Sequence, residues 1–549
     1  MDIDVTSLSG RRAINRWERT SIGDVIERVT WSYPNKEAII GWEGAYGHPE
    51  FARLTYRQAD ELANRFANAL IARGLTQSDR VLLFCENSVE AFVAKIAIAK
   101  AGGVGVPLNP SLAPDVVAEL IARTQPRFSV VDSELWVRAK EAFRAAGLGV
   151  DVTIPIGGGA IDSSLTFGDF VAGYPSSEPK VVIHGDDIWE ILFTSGTTAL
   201  PKGAMISHSG SVMGAYSFAL TLTRGIHIEC DLKLATFLPI IYHVADQVFT
   251  FPAFFSGGTL IIGRRPVAES IVAAITQEKI TALWGGSPAM VNALAKVVAT
   301  DSGEHDISSL SVIVYGWAAL SPATLQILKE RAGTDLVAVE IFGQTECISC
   351  HRFWPDKWPE VYERTAPEHN YVGVPNPMLA SVVVDAMGES LEGQPWVAGE
   401  AIYRSPAVTA GYYLDAAATG EAFRDGWFHS GDSCVYDEQG LRIMVDRFKD
   451  IVKSGGENVS TIRVEAILHQ HPGVTKAAVI GVPDERWGEA VTAVVVPLEL
   501  GGTSEGEIIA FCRERLAGFE TPKSVIFVEE LPETVGGKVL KYKLRQQFR

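Results

Sequence analysis

Cysteine is scarce in this chain, six residues in 549, and the six are dispersed. That excludes a disulfide-stapled scaffold, which needs a dense paired framework. Basic residues are in deficit: 48 lysines and arginines face 66 acidic residues, a formal net charge of −18. A balance of that sign argues against nucleic acid as a partner and against docking on anionic lipid. Long hydrophobic runs are missing as well. The most apolar stretch, Pro239 to Gly263, is broken by His243, Asp246, Gln247 and Pro252. Nothing approaches the roughly 20 apolar residues that cross a bilayer. Arg11-Arg12 opens like a twin-arginine signal, but Ala-Ile-Asn-Arg-Trp-Glu-Arg follows where an apolar region would have to stand. The expectations are a cytoplasmic location and no integral membrane segment. Oligomeric state stays open, a homodimer included.

What is present is ample core. With 47% hydrophobic residues the chain is an ordinary globular sequence, too long for one core and sized for roughly two to four domains. Thr55 is placed to cap a helix whose apolar face is Ala59, Leu62, Ala63, Phe66, Ala67, Leu70 and Ile71, stopped by Gly74. A strand over Val81 to Cys85, a helix over Val89 to Ala101, the Gly102-Gly103 turn and a strand over Val104 to Leu108 follow. That βαβ order predicts α/β architecture: a large N-terminal domain of mainly parallel sheets layered with helices. Strand-like runs recur at Leu260 to Ile262, Ala282 to Trp284 and Val312 to Tyr315. Past the charged stretch Asp446-Arg447-Phe448-Lys449-Asp450 the spacing predicts a helix over 463–470, strands over 477–482 and 490–498, and a helix over 504–517. These make a small α+β C-terminal domain. The boundary is set at Lys449, giving domains 1–448 and 449–549.

The segment richest in chemistry is Phe193-Thr194-Ser195-Gly196-Thr197-Thr198-Ala199-Leu200-Pro201-Lys202-Gly203. Hydroxyls, glycines that free backbone N–H groups, and one ammonium are what a polyphosphate requires. The order Gly-Lys-[Ser/Thr] of a Walker A loop is missing. Two other patterns fail on inspection. Gly103-Val104-Gly105 lacks the third glycine of a dinucleotide fingerprint, and Gly285-Gly286-Ser287-Pro288-Ala289 ends in alanine where a nucleophile elbow needs glycine. Cys347-Ile-Ser-Cys350-His351 has c-type haem spacing, but without an export signal two thiols near a loop is the plainer reading, and no second pair supports zinc.

The hydroxyl loop resembles the phosphate loop of the adenylate-forming superfamily: acyl-CoA synthetases, peptide-synthetase adenylation domains and firefly luciferase. Ala199 stands where the family usually has glycine. Further markers follow in the family's order: Phe237-Leu238-Pro239 with His243, Gly316-Trp317-Ala318-Ala319, Phe342-Gly343-Gln344-Thr345-Glu346, Gly426-Trp427-Phe428-His429-Ser430-Gly431-Asp432, Asp446-Arg447-Phe448-Lys449-Asp450, Ser454-Gly455-Gly456-Glu457-Asn458 and Leu531-Pro532-Glu533-Thr534-Val535-Gly536-Gly537-Lys538. Glu533 replaces a frequent arginine.

The resemblance implies ATP, Mg²⁺ and coenzyme A as ligands and a small-molecule carboxylic acid as substrate. In it, Thr194, Ser195, Gly196, Thr197, Thr198 and Lys202 hold phosphate. Gly316 and Ala318 carry adenine, while Gly343, Gln344 and Thr345 run along the nucleotide. Thr198 and Glu346 hold the metal, Asp432 takes the ribose hydroxyls and Arg447 touches the nucleotide. Lys538 is the catalytic lysine, with Glu346, Lys202 and His243 as further catalytic residues. Lys449 is the hinge that makes the small C-terminal domain mobile, and Gly455-Gly456 is the loop serving thioester formation. His243, Trp284, Trp317 and Gly343 line the acid's side. Acetate-using members put tryptophan where Gly343 stands, so glycine implies a medium, long, cyclic or aromatic acid. A ligase loading a carrier protein shares the first step. A luciferase-like oxygenase is disfavoured by the ending Gln546-Gln547-Phe548-Arg549, and a non-catalytic nucleotide binder by the intact Lys202, Glu346, Asp432 and Lys538.

Overall fold

The structure is a computed structural model that describes residues 19–149, 152–156, 165–194, 201–223, 231–242, 244–499, 501–533 and 539–548. Local chemistry sets many element ends as expected. Helix Tyr56–Ala72 opens on a capping box, in which the Thr55 hydroxyl accepts from Gln58 N–H and the Gln58 side chain accepts from Thr55 N–H. Gly74, at φ +88°, turns the chain after it. Ser88 caps helix Val89–Lys100, one residue shorter than its pattern suggested.

Two sheets form the large region. The first runs in the order Val152–Ile156, Phe128–Asp132, Arg80–Phe84, Val104–Pro107, Ile188–Phe193, Gly203–Ser207, with every pair parallel except the last. The second has a parallel block, Glu37–Trp42, Thr259–Gly263, Lys233–Thr236, Ala282–Gly286, Val312–Gly316 and Val337–Gln344. It then continues antiparallel through Cys347–Phe353, Asn370–Pro375, Arg442–Arg447, Trp427–Tyr436, Gly399–Arg404 and Ala380–Val384. This antiparallel extension adds to the mainly parallel sheets that the βαβ order predicts.

Helix Val89–Lys100 is buried at every residue, and its cluster includes strands of both sheets. A helix apolar on all sides belongs in such a sandwich, yet this one carries Lys95 and Lys100 inside with it. From Val452 onward the chain builds separate cores. Ala477, Val479, Val491, Ala493 and Val495 face one side of the last sheet, whereas Ala478, Ile480 and Val494 face the other. That is the period-two alternation of a sheet covered on both faces. Its elements are helix Thr461–Leu468, strands Val474–Asp484 and Gly488–Pro497, and helix Glu505–Arg513. No helix among the described residues is long and apolar enough to cross a membrane.

Candidate active site

Strand Ile188–Phe193 doubles back as Gly203–Ser207, and above this pair Thr194 N–H donates to the Lys202 carbonyl at 2.8 Å. That bond closes the neck of the hydroxyl loop. Ser195, Gly196, Thr197 and Thr198 lie outside the described residues. Gly203 is needed at the neck, because a Cβ there would stand 2.9 Å from the Ile191 side chain.

Beside Gly203–Ser207 runs the segment 410–413. Met205 N–H donates to the Gly411 carbonyl (2.9 Å), Ala410 N–H to the Met205 carbonyl (3.0 Å), and Tyr413 N–H to the Gly203 carbonyl (2.7 Å). These bonds set Tyr412 at the base of the loop. Lys202 Nζ stands 4.9 Å from the centre of the Tyr412 ring, a cation–π distance. The Tyr412 hydroxyl donates to Glu346 Oε1 at 2.7 Å. Burial, and then the Glu346 carboxylate, push the Tyr412 phenol far above its ordinary range, so it stays a donor at neutral pH. Sequence reasoning missed Tyr412. The signal was there in Ala410-Gly411-Tyr412-Tyr413, a glycine at φ +125° leading into two aromatics.

Glu346 and Thr345 form the two-residue turn between Val337–Gln344 and Cys347–Phe353, where Gln344 pairs with Cys347. Glu346 is buried, and its carbonyl accepts Thr409 N–H at 2.9 Å. The register shifts between Phe342 and Gln344, so Gly343 sits in a bulge, and it is exposed. From the same turn Gln344 Nε2 reaches Asp432 Oδ2 at 3.2 Å. Asp432 and Arg447 are opposite each other on paired strands, and Arg447 Nε lies 2.6 Å from Asp432 Oδ1. The charge on Asp432, and more weakly that on Glu346, raise the Arg447 guanidinium above its ordinary value. The groups Lys202–Tyr412–Glu346 and Asp432–Arg447–Gln344 are therefore one electrostatic site.

Strand Val312–Gly316 ends under a second constraint. A Cβ on Gly316 would lie 2.7 Å from the Ile341 carbonyl oxygen. Trp317 then takes φ +72°, a left-handed conformation that a bulky residue holds only when its surroundings enforce it. Trp317 and Ala318 follow that constrained glycine. The Trp317 ring lies 5.7 Å from Trp284, which is buried and stacked on Phe249 at 5.2 Å and 9°. Trp284 is thus half of a core stack, and Trp317, 41% exposed, is the tryptophan that faces open space.

His243 is outside the described residues. Before it, Asn109 Nδ2 donates to the Tyr242 hydroxyl at 3.1 Å, and burial pushes that phenol up to about 12. After it comes a π-helix, Ala245–Thr250, a geometry frequent at functional sites. Lys538 is also outside the described residues. Nearby Glu533 pairs with Lys476 at 2.6 Å.

Gly455 and Gly456, at φ +61° and +90°, make the two-residue turn joining Val452–Ser454 to Glu457–Val459, as a type I′ hairpin requires. Gly455 N–H donates to the Trp487 carbonyl at 2.7 Å, so the structure packs this turn on its own domain. Lys449 is exposed. On one side of it Asp446 Oδ2 accepts from Thr461 N–H and Oγ1–H, both at 2.6 Å, and on the other Asp450 pairs with Arg545 at 2.7 Å.

The other motifs resolve plainly. Cys347 and Cys350 are buried free thiols, with Cys350 Sγ donating to the Cys347 carbonyl, and His351 Nε2 accepts from Arg442 at 2.9 Å. Ser287 caps helix Pro288–Thr300, which makes the Gly285-Gly286-Ser287 run a strand-ending turn.

With this geometry in hand, comparison with known proteins gives the class. Residues 26–413 match the family described as AMP-binding enzyme, and residues 463–538 match the AMP-binding enzyme C-terminal domain. The chain is 31% identical over 536 residues to 4-hydroxybutyrate–CoA ligase 2 of Metallosphaera sedula, covering 95% of this chain and 93% of that protein. It is 31% identical over 495 residues to the feruloyl-CoA synthase of an Amycolatopsis species, covering 90% and 94%. The crystal structure of ATP-bound MatB from Rhodopseudomonas palustris superposes with a TM-score of 0.79 at 29% identity, covering 96% and 99% of the two chains. The chain belongs to the AMP-binding enzyme family, in the AMP-forming acyl-CoA synthetase branch of the adenylate-forming enzymes.

Proposed function

We propose that this enzyme activates a carboxylic acid larger than acetate with ATP, forming an acyl-adenylate, and passes the acyl group to coenzyme A with release of AMP and pyrophosphate. The observation that carries the reading is the convergence of Asp432, Arg447 and Gln344 with Glu346, Tyr412 and Lys202 at the neck of a hydroxyl-rich loop. A carboxylate held between a guanidinium and an amide is fixed in orientation, and its two oxygens suit the vicinal hydroxyls of a ribose.

A carboxylate oxygen is a poor leaving group until it becomes part of AMP. The acid's oxygen attacks the α-phosphorus, and the bond to pyrophosphate breaks. Both reactants are anions, so the chain must supply positive charge where they meet. Lys202 and the loop hydroxyls would hold the departing pyrophosphate, and Lys538 would meet the α-phosphate. Glu346, a hard carboxylate fixed by Tyr412, fits a divalent cation. With Thr198 it would hold Mg²⁺, which when bound adds positive charge beside the phosphates. The CoA thiolate then adds to the acyl carbonyl, and AMP leaves with the electrons of the broken C–O bond.

An open acyl side is supported by Gly343, exposed in its bulge, with Trp317 also exposed. Proteins named as ligases of 4-hydroxybutyrate and ferulate are similar over nearly the whole chain. Division into 1–448 and 449–549 is supported by the separate cores beyond Val452, and an exposed Lys449 suits a hinge. Rotation there would carry Gly455-Gly456 toward the thioester step. Lys449→Pro should leave adenylation in place and abolish thioester formation. Equal loss of both steps rules against the hinge. The reaction is tested with acetate, butyrate, octanoate, ferulate and indoleacetate, scoring acid-dependent ATP–pyrophosphate exchange and CoA-dependent AMP release. Exchange without CoA-dependent release would remove CoA as acceptor.

A further inference from the structure

Inside the large region lies a charged cluster that none of the nucleotide chemistry uses. Lys95 Nζ is 2.7 Å from Asp246 Oδ1, 3.0 Å from Glu190 Oε1 and 3.0 Å from the Ile240 carbonyl oxygen. The ammonium donates to the Ile240 carbonyl and to Asp246, and Glu190 adds an ion pair. All three side chains are at least 97% buried, and the ammonium also stands 5.4 Å from the Trp189 ring.

The location of each partner is the significant point. Glu190 lies on strand Ile188–Phe193, which delivers the chain into the hydroxyl loop. Ile240 and Asp246 flank His243, and Asp246 is in the π-helix whose Phe249 stacks on Trp284. Lys95 comes from the helix wedged between both sheets. Just ahead of that helix Asn87 grips the same segment. Its Nδ2 donates to the Leu238 and Gly263 carbonyls at 2.9 and 3.0 Å, and its Oδ1 accepts Ile240 N–H at 2.9 Å. Leu238, Ile240 and Asp246 are thus held by two buried polar side chains, eight positions apart.

We propose that Lys95, clamped between Glu190 and Asp246, is a positioning residue that sets the acyl-side segment 238–246 against the strand feeding the nucleotide loop. The proposal rests on the functional reading above, which sets Trp317 on the acid's side; the π-helix holding Asp246 reaches Trp317 through Phe249 and Trp284. Its logic is that a carboxylate and an α-phosphate must meet within a fraction of an ångström. Misplacement by about 1 Å can lower the rate on the order of a hundredfold. A buried ion cluster suits this task because its geometry is all-or-none: loss of one member leaves an unpaired charge in the interior, which is strongly unfavourable. An apolar contact would tolerate a slide. Burial raises the Glu190 carboxyl well above the usual carboxylate range, with the Lys95 charge opposing and the Asp246 charge adding to it.

Two variants test it, Lys95→Met and the isosteric Asp246→Asn, with the best-used acid of the panel above and ATP as probes. The expected result is a rise of about tenfold or more in KM for the acid, with KM for ATP within about twofold of wild type. Amide exchange should also quicken across 238–250 and not across Ile188–Phe193. A merely structural cluster would lower thermal stability and shift both KM values together, or neither, in the folded fraction. Either pattern overturns the proposal. Should Lys95→Met fail to fold, Asp246→Asn decides, since it keeps the shape and an acceptor for Lys95. Wild-type enzyme that exchanges pyrophosphate with no acid would overturn the functional reading and this inference with it. An active wild type with unselective variants overturns the inference alone.

Discussion

The Tyr412 hydroxyl donates to Glu346 Oε1 at 2.7 Å while the ring of the same tyrosine lies under Lys202. One side chain therefore fixes the carboxylate assigned to the metal and the cation assigned to pyrophosphate.

Tyr412→Phe separates those two jobs, because phenylalanine keeps the ring and drops the hydroxyl. A hydrogen bond to a charged, buried acceptor contributes about 1.5–3 kcal/mol, so kcat/KM for adenylation should fall roughly ten- to a hundredfold. Tyr412→Ala should fall further, since it also removes the face under Lys202. Pyrophosphate exchange is the measurement, and a phenylalanine variant equal to wild type would remove Tyr412 from the site.

Lys538→Ala should lose adenylation by about a hundred- to a thousandfold, the usual effect of deleting one group that meets developing charge. Given preformed acyl-adenylate and CoA, the same variant should still make thioester. Adenylation surviving within a few-fold refutes the role assigned to Lys538.

Gly343→Trp tests the acyl side. The residue is exposed and sits in a bulge, so an indole can be accommodated by the backbone while filling on the order of 150–250 Å² of space. Cyclic or long acids should be excluded, and acetate used relatively better, with ATP affinity little changed. Retention of ferulate or octanoate activity, or a wild type that already prefers acetate, defeats the open-pocket reading.

A pH dependence of stability follows from Glu340, two residues before Phe342 on the same strand. Burial, against Tyr315, pushes its carboxyl up to about 8. The unfolded chain releases that proton near the ordinary value of about 4.3. Between these values the folded state holds one proton more, so stability falls as pH rises toward 8, by up to about 1.4 kcal/mol per pH unit, and the term is flat above. Glu340→Gln keeps the shape without the proton. Its Tm should decline less than that of wild type between pH 5 and 8, and parallel Tm curves would contradict the assignment.

Much of this protein follows from local chemistry that a linear sequence records. The capping box at Thr55 and Gln58, the apolar run of Ile188–Phe193 and the alternation in Val474–Asp484 and Gly488–Pro497 each specify an element through neighbours a few residues away. The family motifs are legible for the same reason, since each is a short run of sequence with its own glycines, hydroxyls or charges. Helix Thr461–Leu468 starts two residues earlier than the pattern suggested because Ser460 caps it and Asp446, 15 residues away, binds its first N–H. Tertiary structure alone decided the rest. Tyr412 meets Glu346 across 66 positions and Lys95 meets Asp246 across 151. In the sequence each is one polar or aromatic residue among many. Only the folded packing of distant strands, with water removed, turns a tyrosine into a fixed donor and a lysine into a clamp, because electrostatic contacts gain their strength and their geometry from burial.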